Sequence, residues 1–351
     1  MMQIAIDASR TTVAKVTGTE RYALELIRGI IQLNTEHNIT LYFRDTPPPT
    51  LFPPSERVIY RVIPFRRAWT HMRFAAAIWQ DRPDVTFVPA HTLPFLFPGK
   101  AIVTVHDLGY KFFPQAHPFK QRVYLDMTTR YSARRATLIF ADSQATANDL
   151  TQLYGISADK IRVVYPGVTP PEINAVDVVK KYNLPERYFL FIGTLQPRKN
   201  IKRIVQAYAQ YRANTPTPVG LVLAGGKGWL YDPAWVEGVP GVHLTGYIDE
   251  ADKGALYQGA IGLVFPTLYE GFGFPVVEAM HCGTPVLASN TSSLPELVGD
   301  AGLLVDPHNI SEIAAGMAQL EAMPHVKPTH QLAKFTWEQA AQQALEGFEY
   351  V

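Results

Sequence analysis

LVFPTLYEGFGFPVVEAMHCGTPVLAS, residues 263–289, is the stretch whose reading decides the fold. Leu263 to Pro266 is a short apolar run, the length of a buried parallel strand. Glu270-Gly271-Phe272-Gly273-Phe274 follows, with two glycines that let the backbone approach a ligand closely. Pro275 suits the first position of a helix, and Gly283 stands where a helix C-cap belongs. Val286 to Ser289 resumes as a strand. The spacing therefore predicts a strand–loop–helix–strand unit in which a glycine loop feeds a helix N-terminus. Such a terminus offers N–H groups and a favourable dipole to phosphate or sugar hydroxyls. Glu278 is expected in the first helical turn, so that it and Glu270 face one ligand from the two sides of the loop.

EGFGFPVVEAMHCGTPV, with Glu270 and Glu278 spaced as E-x7-E, resembles the motif of retaining glycosyltransferases of family 4. The resemblance extends over essentially the whole chain. It implies an α/β fold of GT-B type, with two facing doubly wound Rossmann-like domains and a C-terminal helix that crosses back to the first.

Length and composition agree with that scale. The chain has 351 residues, enough for about two domains at ~150 residues each. Its apolar content of 47% and charged content of 18% are those of a globular protein with a full core. The single cysteine, Cys282, excludes an internal disulfide and suits a reducing cytoplasm; beside His281 it lacks a metal-ligand set and reads as a small buried hydrophobe. No signal-like start and no apolar run near the ~20 residues of a membrane span is present, so the expected location is cytoplasmic. The net charge of +1 is unevenly spread, about +7 over residues 1–165 and −6 over 166–351. A basic N-terminal half suits an anionic partner, either a phosphorylated acceptor or the acidic inner face of a membrane, or is simply a solvated surface. Nucleic acid is not among the expected partners.

In the first half, Gln3 to Asp7 reads as a buried strand and Thr19 to Leu33 as an amphipathic helix. The Thr17-Gly18-Thr19 loop between them lies where α/β sheets bind ligands. The absence of G-x-G-x-x-G counts against a dinucleotide dehydrogenase. The resemblance places Gly18 near the donor's phosphate and sugar. Ala101 to Val105 is a strand ending at His106-Asp107. A histidine at a strand's carboxyl end suits a site, and in the family a histidine here reaches the donor sugar. VHDLGYKFFP around it is similar to the mannosyl- and rhamnosyltransferase branch, while Asp107 could also only brace the loop. Phe119 to Arg135 reads as a helix packed on the sheet with a cationic outer face, with a membrane-surface role as the alternative. Ser143, after the strand Thr137 to Ala141, either touches the acceptor or caps the next helix.

A break at Tyr165-Pro166-Gly167 coincides with the change in charge sign. The expected domains are 1–165 on the acceptor side, joined by the returning helix 334–351, and 166–333 for the nucleotide-sugar donor. After the strand Tyr188 to Ile192 comes Gly193-Thr194-Leu195-Gln196-Pro197-Arg198-Lys199-Asn200, which is not a P-loop but sets two cations in a strand-to-helix loop. The family places its diphosphate-binding Arg and Lys here, which carries over to Arg198 and Lys199; some relatives add an Arg where Thr194 stands. Being in a loop, Lys199 is expected to be replaceable with little cost to folding. Gly246-Tyr247-Ile248 follows the strand Val242 to Thr245, where relatives recognise the base through backbone groups. Asp249-Glu250-Ala251-Asp252 reads as a capped acidic helix start, and no D-x-D arrangement suits a diphosphate-bound cation. Thr336-x-x-Gln339 caps a final helix.

The resemblance implies transfer of a sugar from a nucleotide diphosphate, GDP-mannose being favoured, to a hydroxyl of a glycan or lipid-linked glycan, with no metal or other cofactor. Catalytic roles fall to His106, Glu270, Arg198 and Lys199. Donor contacts fall to Gly18, Gly246, Tyr247, Glu278 and the backbone of Phe272 and Gly273. Two other classes share the fold: a non-hydrolysing sugar-nucleotide epimerase and an inert nucleotide-sugar-binding module.

Overall fold

The computed structural model describes residues 1–13, 18–65, 68–116, 118–217 and 219–351. The chain forms two compact units, one of Met1–Gly167 with Phe335–Val351 and one of Val168–Lys334. The break falls two residues later than the sequence suggests, and packing explains why. A Cβ on Gly167 would stand 2.3 Å from the Trp337 backbone nitrogen, so this glycine belongs with the returning helix.

The first unit holds a seven-stranded sheet of β1 (Gln3–Asp7), β2 (Asn38–Phe43), β3 (Val58–Val62), β4 (Val85–Val88), β5 (Lys100–Val105), β6 (Leu138–Ala141) and β7 (Ile161–Val163). Their order is β3-β2-β1-β4-β5-β6-β7, and all pairs are parallel. Parallel sheets need both faces covered, and successive side chains alternate between faces. Accordingly there are two cores. Ala5, Val88, Val103 and Ile139 join one; Ile4, Ile6, Phe87 and Phe140 join the other. Helix Gly18–Leu33 buries Tyr22, Leu26, Ile27 and Ile30 in the second core. The returning helix Trp337–Tyr350, capped by Thr336 accepting the Gln339 N–H, buries Ala340, Ala341, Ala344 and Phe348 there. Close approach of the two helices depends on Gly29, where a Cβ would lie 2.8 Å from that of Ala341. Phe335 and Trp337 serve as packing anchors, edge-on to Tyr165 and Tyr22.

The second unit holds β8 (Tyr188–Ile192), β9 (Gly220–Ala224), β10 (Val242–Gly246), β11 (Gly262–Phe265), β12 (Val286–Ser289) and β13 (Leu303–Val305) in the order β10-β9-β8-β11-β12-β13, again parallel. β8, β9, β11 and β12 are buried throughout, as apolar runs in a doubly covered sheet should be. In both sheets the order reverses once, between β1 and β4 and between β8 and β11. The crevice outside the carboxyl ends of the strands at such a point is where open α/β sheets bind ligands.

Candidate functional site

In the second unit the loops after β8 and β11 flank the switch point, and they carry the predicted charges. Pro197–Lys199 forms a 3-10 turn, and Asn200 follows in the left-handed region at φ +62°. The buried Asn200 amide donates to the carbonyls of Pro266 (2.9 Å) and Pro307 (2.7 Å), tying the turn to the end of β11. Lys199 Nζ thereby reaches Glu270 at 2.6 Å, and Arg198 reaches it at 3.3 Å while donating to the Tyr269 carbonyl at 2.7 Å. Glu270 is buried, which by itself would raise its pKa. Lys199 and then Arg198 outweigh that, so the carboxyl stays below its usual range and ionised.

The glutamate loop is braced from the other side. Ser292 accepts the Glu270 N–H at 3.0 Å, and Ser293 donates to the Glu270 carbonyl at 3.1 Å and also to that of Phe272. Gly273 has φ +127°, and a Cβ there would sit 2.7 Å from Leu294 Cδ2, so only glycine fits. Helix Phe274–His281 then begins with Pro275 in its first turn, and Gly283 follows the C-cap at φ +76°. Phe272 is buried edge-on against Phe274.

Glu278 departs from its expected place. The helix starts at Phe274, one residue before Pro275, so Glu278 is its fifth residue, and no acidic residue stands in the first turn. It is buried, with one oxygen accepting from Tyr257 at 2.8 Å and the other 3.4 Å from Lys253. Tyr257 and Lys253 carried no sequence signal; both come from helix Lys253–Gly259, which the fold lays beside the glutamate. Lys199 also differs from expectation. Its side chain is only 12% exposed, so this loop lysine is part of a buried ion-pair cluster.

Gly246 ends β10 at φ +70°, its carbonyl accepting from Gly225, and Tyr247 is almost fully exposed. Gly225, at φ +147°, packs so closely that a Cβ would lie 2.1 Å from the Gly193 carbonyl oxygen. The acids of 249–252 do open a helix, with Glu250 and Asp252 in its first turn, but the Asp249 side chain at the N-cap position makes no cap. Asp249 and Asp252 instead accept from Lys181 at 2.7 and 2.5 Å, and Asp252 accepts from Tyr182 at 2.6 Å, fastening helix Val178–Tyr182.

In the first unit, Gly18 opens helix Gly18–Leu33 and is exposed, while Thr17 lies outside the described residues. His106 follows β5 and is largely but not fully covered, with Nδ1 2.7 Å from Oδ2 of the buried Asp142. Burial opposes its charged form, but Asp142 outweighs burial and the pKa is raised. The Asp142 carboxyl is itself raised by burial, against the pull of His106. Asp107 accepts the Gly109 N–H at 2.7 Å and so braces the loop; Ser143 caps helix Gln144–Tyr154 by accepting the Thr146 N–H at 3.1 Å. A cavity of about 340 Å³ opens at the β1/β4 switch point, lined by Asp7, Arg10, Arg44, Trp69, His71 and Tyr124 among others. The sequence reading missed it, because its walls come from five separate segments.

Among the described residues, Glu36, His37 and Glu349 bring metal-ligating atoms within 4.8 Å of one another. They lie by the amino ends of β1 and β2, since Gln3 pairs with Asn38, whereas His106 follows the carboxyl end of β5. No helix among the described residues is long and apolar enough to cross a membrane.

Two parallel doubly wound units, one carrying an ion-paired E-x7-E loop and the other a carboxylate-paired histidine, define a glycosyltransferase of GT-B fold. Two family profiles match it, "Glycosyltransferase Family 4" over residues 16–171 and "Glycosyl transferases group 1" over 175–338. The chain is 32% identical over 310 residues to an O-antigen chain mannosyltransferase B of Escherichia coli, covering 83% of this chain and 79% of that one. It belongs to glycosyltransferase family 4. A serotype-specific mannosyltransferase of Escherichia coli is 27% identical over 92% of this chain, which spans 44% of that relative's length. The sucrose-phosphate synthase of Thermosynechococcus elongatus has the same fold, with a TM-score of 0.72, 22% identity and coverage of 100% of this chain and 99% of that one.

Proposed function

We propose that this enzyme transfers mannose from GDP-mannose to a hydroxyl of a lipid-linked glycan, with retention at the anomeric carbon and without a metal ion. The observation that carries the reading is the Arg198–Lys199–Glu270 cluster at the β8/β11 switch point. Breaking the bond from the anomeric carbon to phosphate leaves positive charge on the sugar and negative charge on the diphosphate. Lys199, Arg198 and the N-terminus of helix Phe274–His281 are the groups assigned to the diphosphate, where preorganised charge is most effective. Glu270, kept ionised by the same cations, is assigned to the donor sugar. Glu278, with both oxygens held, is assigned to the ribose hydroxyls, and the backbone around Gly246 and Tyr247 to the base. Gly18 and His106 are assigned to the donor by the family resemblance.

Mannose is favoured by VHDLGYKFFP and by the mannosyltransferase relatives. A membrane-borne acceptor is supported by helix Phe119–Arg135. Its C-terminal half buries Thr128, Thr129, Ser132 and Ala133, but its first turns expose Phe119, Val123, Tyr124 and Met127 beside Lys120 and Arg122. Apolar side chains interleaved with cations suit an anionic bilayer surface. The test is a thermal-shift panel with GDP, UDP, ADP and their sugars. A ligand at ~100 Kd stabilises by about 2.7 kcal/mol, and GDP should raise the melting temperature most. A clear preference for UDP or ADP would refute the donor assignment.

A further inference from the structure

β5 and β6 pair with Val105 opposite Ala141, so His106 and Asp142 leave the sheet side by side. Their side chains are 12% and 6% exposed, and the 2.7 Å contact joins only Nδ1 and Oδ2. Among the described residues, His106 Nε2 and Asp142 Oδ1 are buried and have no hydrogen-bond partner. Buried polar atoms are nearly always satisfied, and exceptions tend to be functional. Tyr22 lies edge-on to the ring at 4.8 Å and His91 at 6.4 Å, so neighbouring rings box the imidazole in.

We propose that Asp142 is a positioning residue for sugar transfer: it holds the His106 ring by Nδ1–H and thereby presents Nε2 to a hydroxyl of the transferred sugar. The inference rests on the assignment of His106 to the donor above. It adds the residue that decides which ring nitrogen faces the substrate and whether that nitrogen carries a proton.

Burial and three charged groups bear on the ring's charge. Burial disfavours the imidazolium, Asp142 and Asp107 favour it, and Arg10 opposes it; the net effect is a pKa above the ordinary 6.5. Burial, then His106 and Arg10, push His91 down to about 4, so it stays neutral beside the pair. Tyr22 is held protonated by burial and by Asp142. Asp142 therefore favours the ring form with a proton on both nitrogens, Nδ1–H donating to Asp142 and Nε2–H left to donate to a sugar oxygen.

The test is Asp142→Asn in the full chain, because the amide oxygen still accepts from Nδ1–H but the charge is gone. The histidine NMR titration, with the His106 resonance identified by its loss in H106Q, should move from above 6.5 to below it. Turnover at neutral pH should fall by about 10–100-fold, the loss that follows removal of the outer partner of a metal-ligating imidazole, taken here as the scale for a ring held the same way. It should recover partly towards pH 6, as His106 regains its proton. In the H106Q background the same substitution should cost no further turnover, because residues acting as one unit are non-additive. An unmoved titration, a loss additive with H106Q, or a D142N chain that fails to fold beside a folded H106Q would each overturn the inference. A wild type that transfers from no nucleotide sugar would refute the proposed function instead, and the titration would then decide the pairing alone.

Discussion

Lys199→Ala separates the chemical from the structural work of the cation cluster. Lys199 Nζ is 2.6 Å from a buried Glu270, and Arg198 is 3.3 Å away on the other oxygen. Stripping a buried carboxylate of its whole counter-charge costs about 3–5 kcal/mol. Here Arg198 remains, so the expected loss is nearer the ~1–3 kcal/mol of an incompletely satisfied buried group. For a unit of this size each kcal/mol lowers the melting temperature by about 2–4 °C. The cost should depend on pH. The Glu270 pKa is depressed in the folded state, so its stabilisation is present above its ordinary value of 4.5 and is lost as pH falls through the lowered folded value. Without Lys199 that stabilisation shrinks, and wild type and variant should converge in stability once Glu270 is protonated in both. Turnover should fall further than stability explains, by about 10²–10³ in kcat for loss of one preorganised donor to the leaving group. Part of the effect should appear in donor KM, since the diphosphate is already anionic in the ground state. The assay is kcat and donor KM below the melting transition, with denaturant unfolding at neutral and acid pH. Near-normal turnover in the folded variant would remove Lys199 from the diphosphate site. A stability cost that persists unchanged at acid pH would refute the pairing account.

Transfer should survive excess EDTA; activity lost to chelator and restored by Mg²⁺ or Mn²⁺ would show a metal requirement. NMR of the product during early turnover should show the donor's anomeric configuration, and an inverted product would refute retention. Gly225→Ala should destabilise by about 1–3 kcal/mol from backbone strain at φ +147° alone, with the overlap on the Gly193 carbonyl adding to it. Gly226→Ala, where a Cβ meets nothing within 4 Å, is the control, and equal urea midpoints for the two variants would refute the argument.

Much of the fold was legible because its signals are local. β8 and β12 are apolar runs with the ends read from the sequence, and the Thr336 cap uses residues three apart. Arg198, Lys199 and Glu270 could be picked out singly, as charges in loops that follow apolar strands. Their mutual pairing could not, because it depends on β8 and β11 being neighbours across a crossover. The same holds for Asp142, whose meaning comes from the β5/β6 register, and for Tyr257 against Glu278. Position in a loop also misled, since it suggested that Lys199 was exposed when Asn200 in fact draws its turn into the protein. The acids at 249–252 open a helix as their pattern suggests, but the Asp249 and Asp252 side chains are taken by Lys181 and Tyr182, distant in sequence.

The returning helix bears on how the protein is made. Most of the first unit precedes the second in sequence, yet its second core closes only when Ala341, Ala344 and Phe348 arrive, after all of Val168–Lys334 has been synthesised. At ~5–20 residues per second that interval is on the order of ten seconds or more. Throughout it, apolar side chains on helix Gly18–Leu33 and on β6 wait uncovered, while the intervening unit already has every residue it needs. Of the two units, the one whose synthesis starts earlier is thus the one that is completed later.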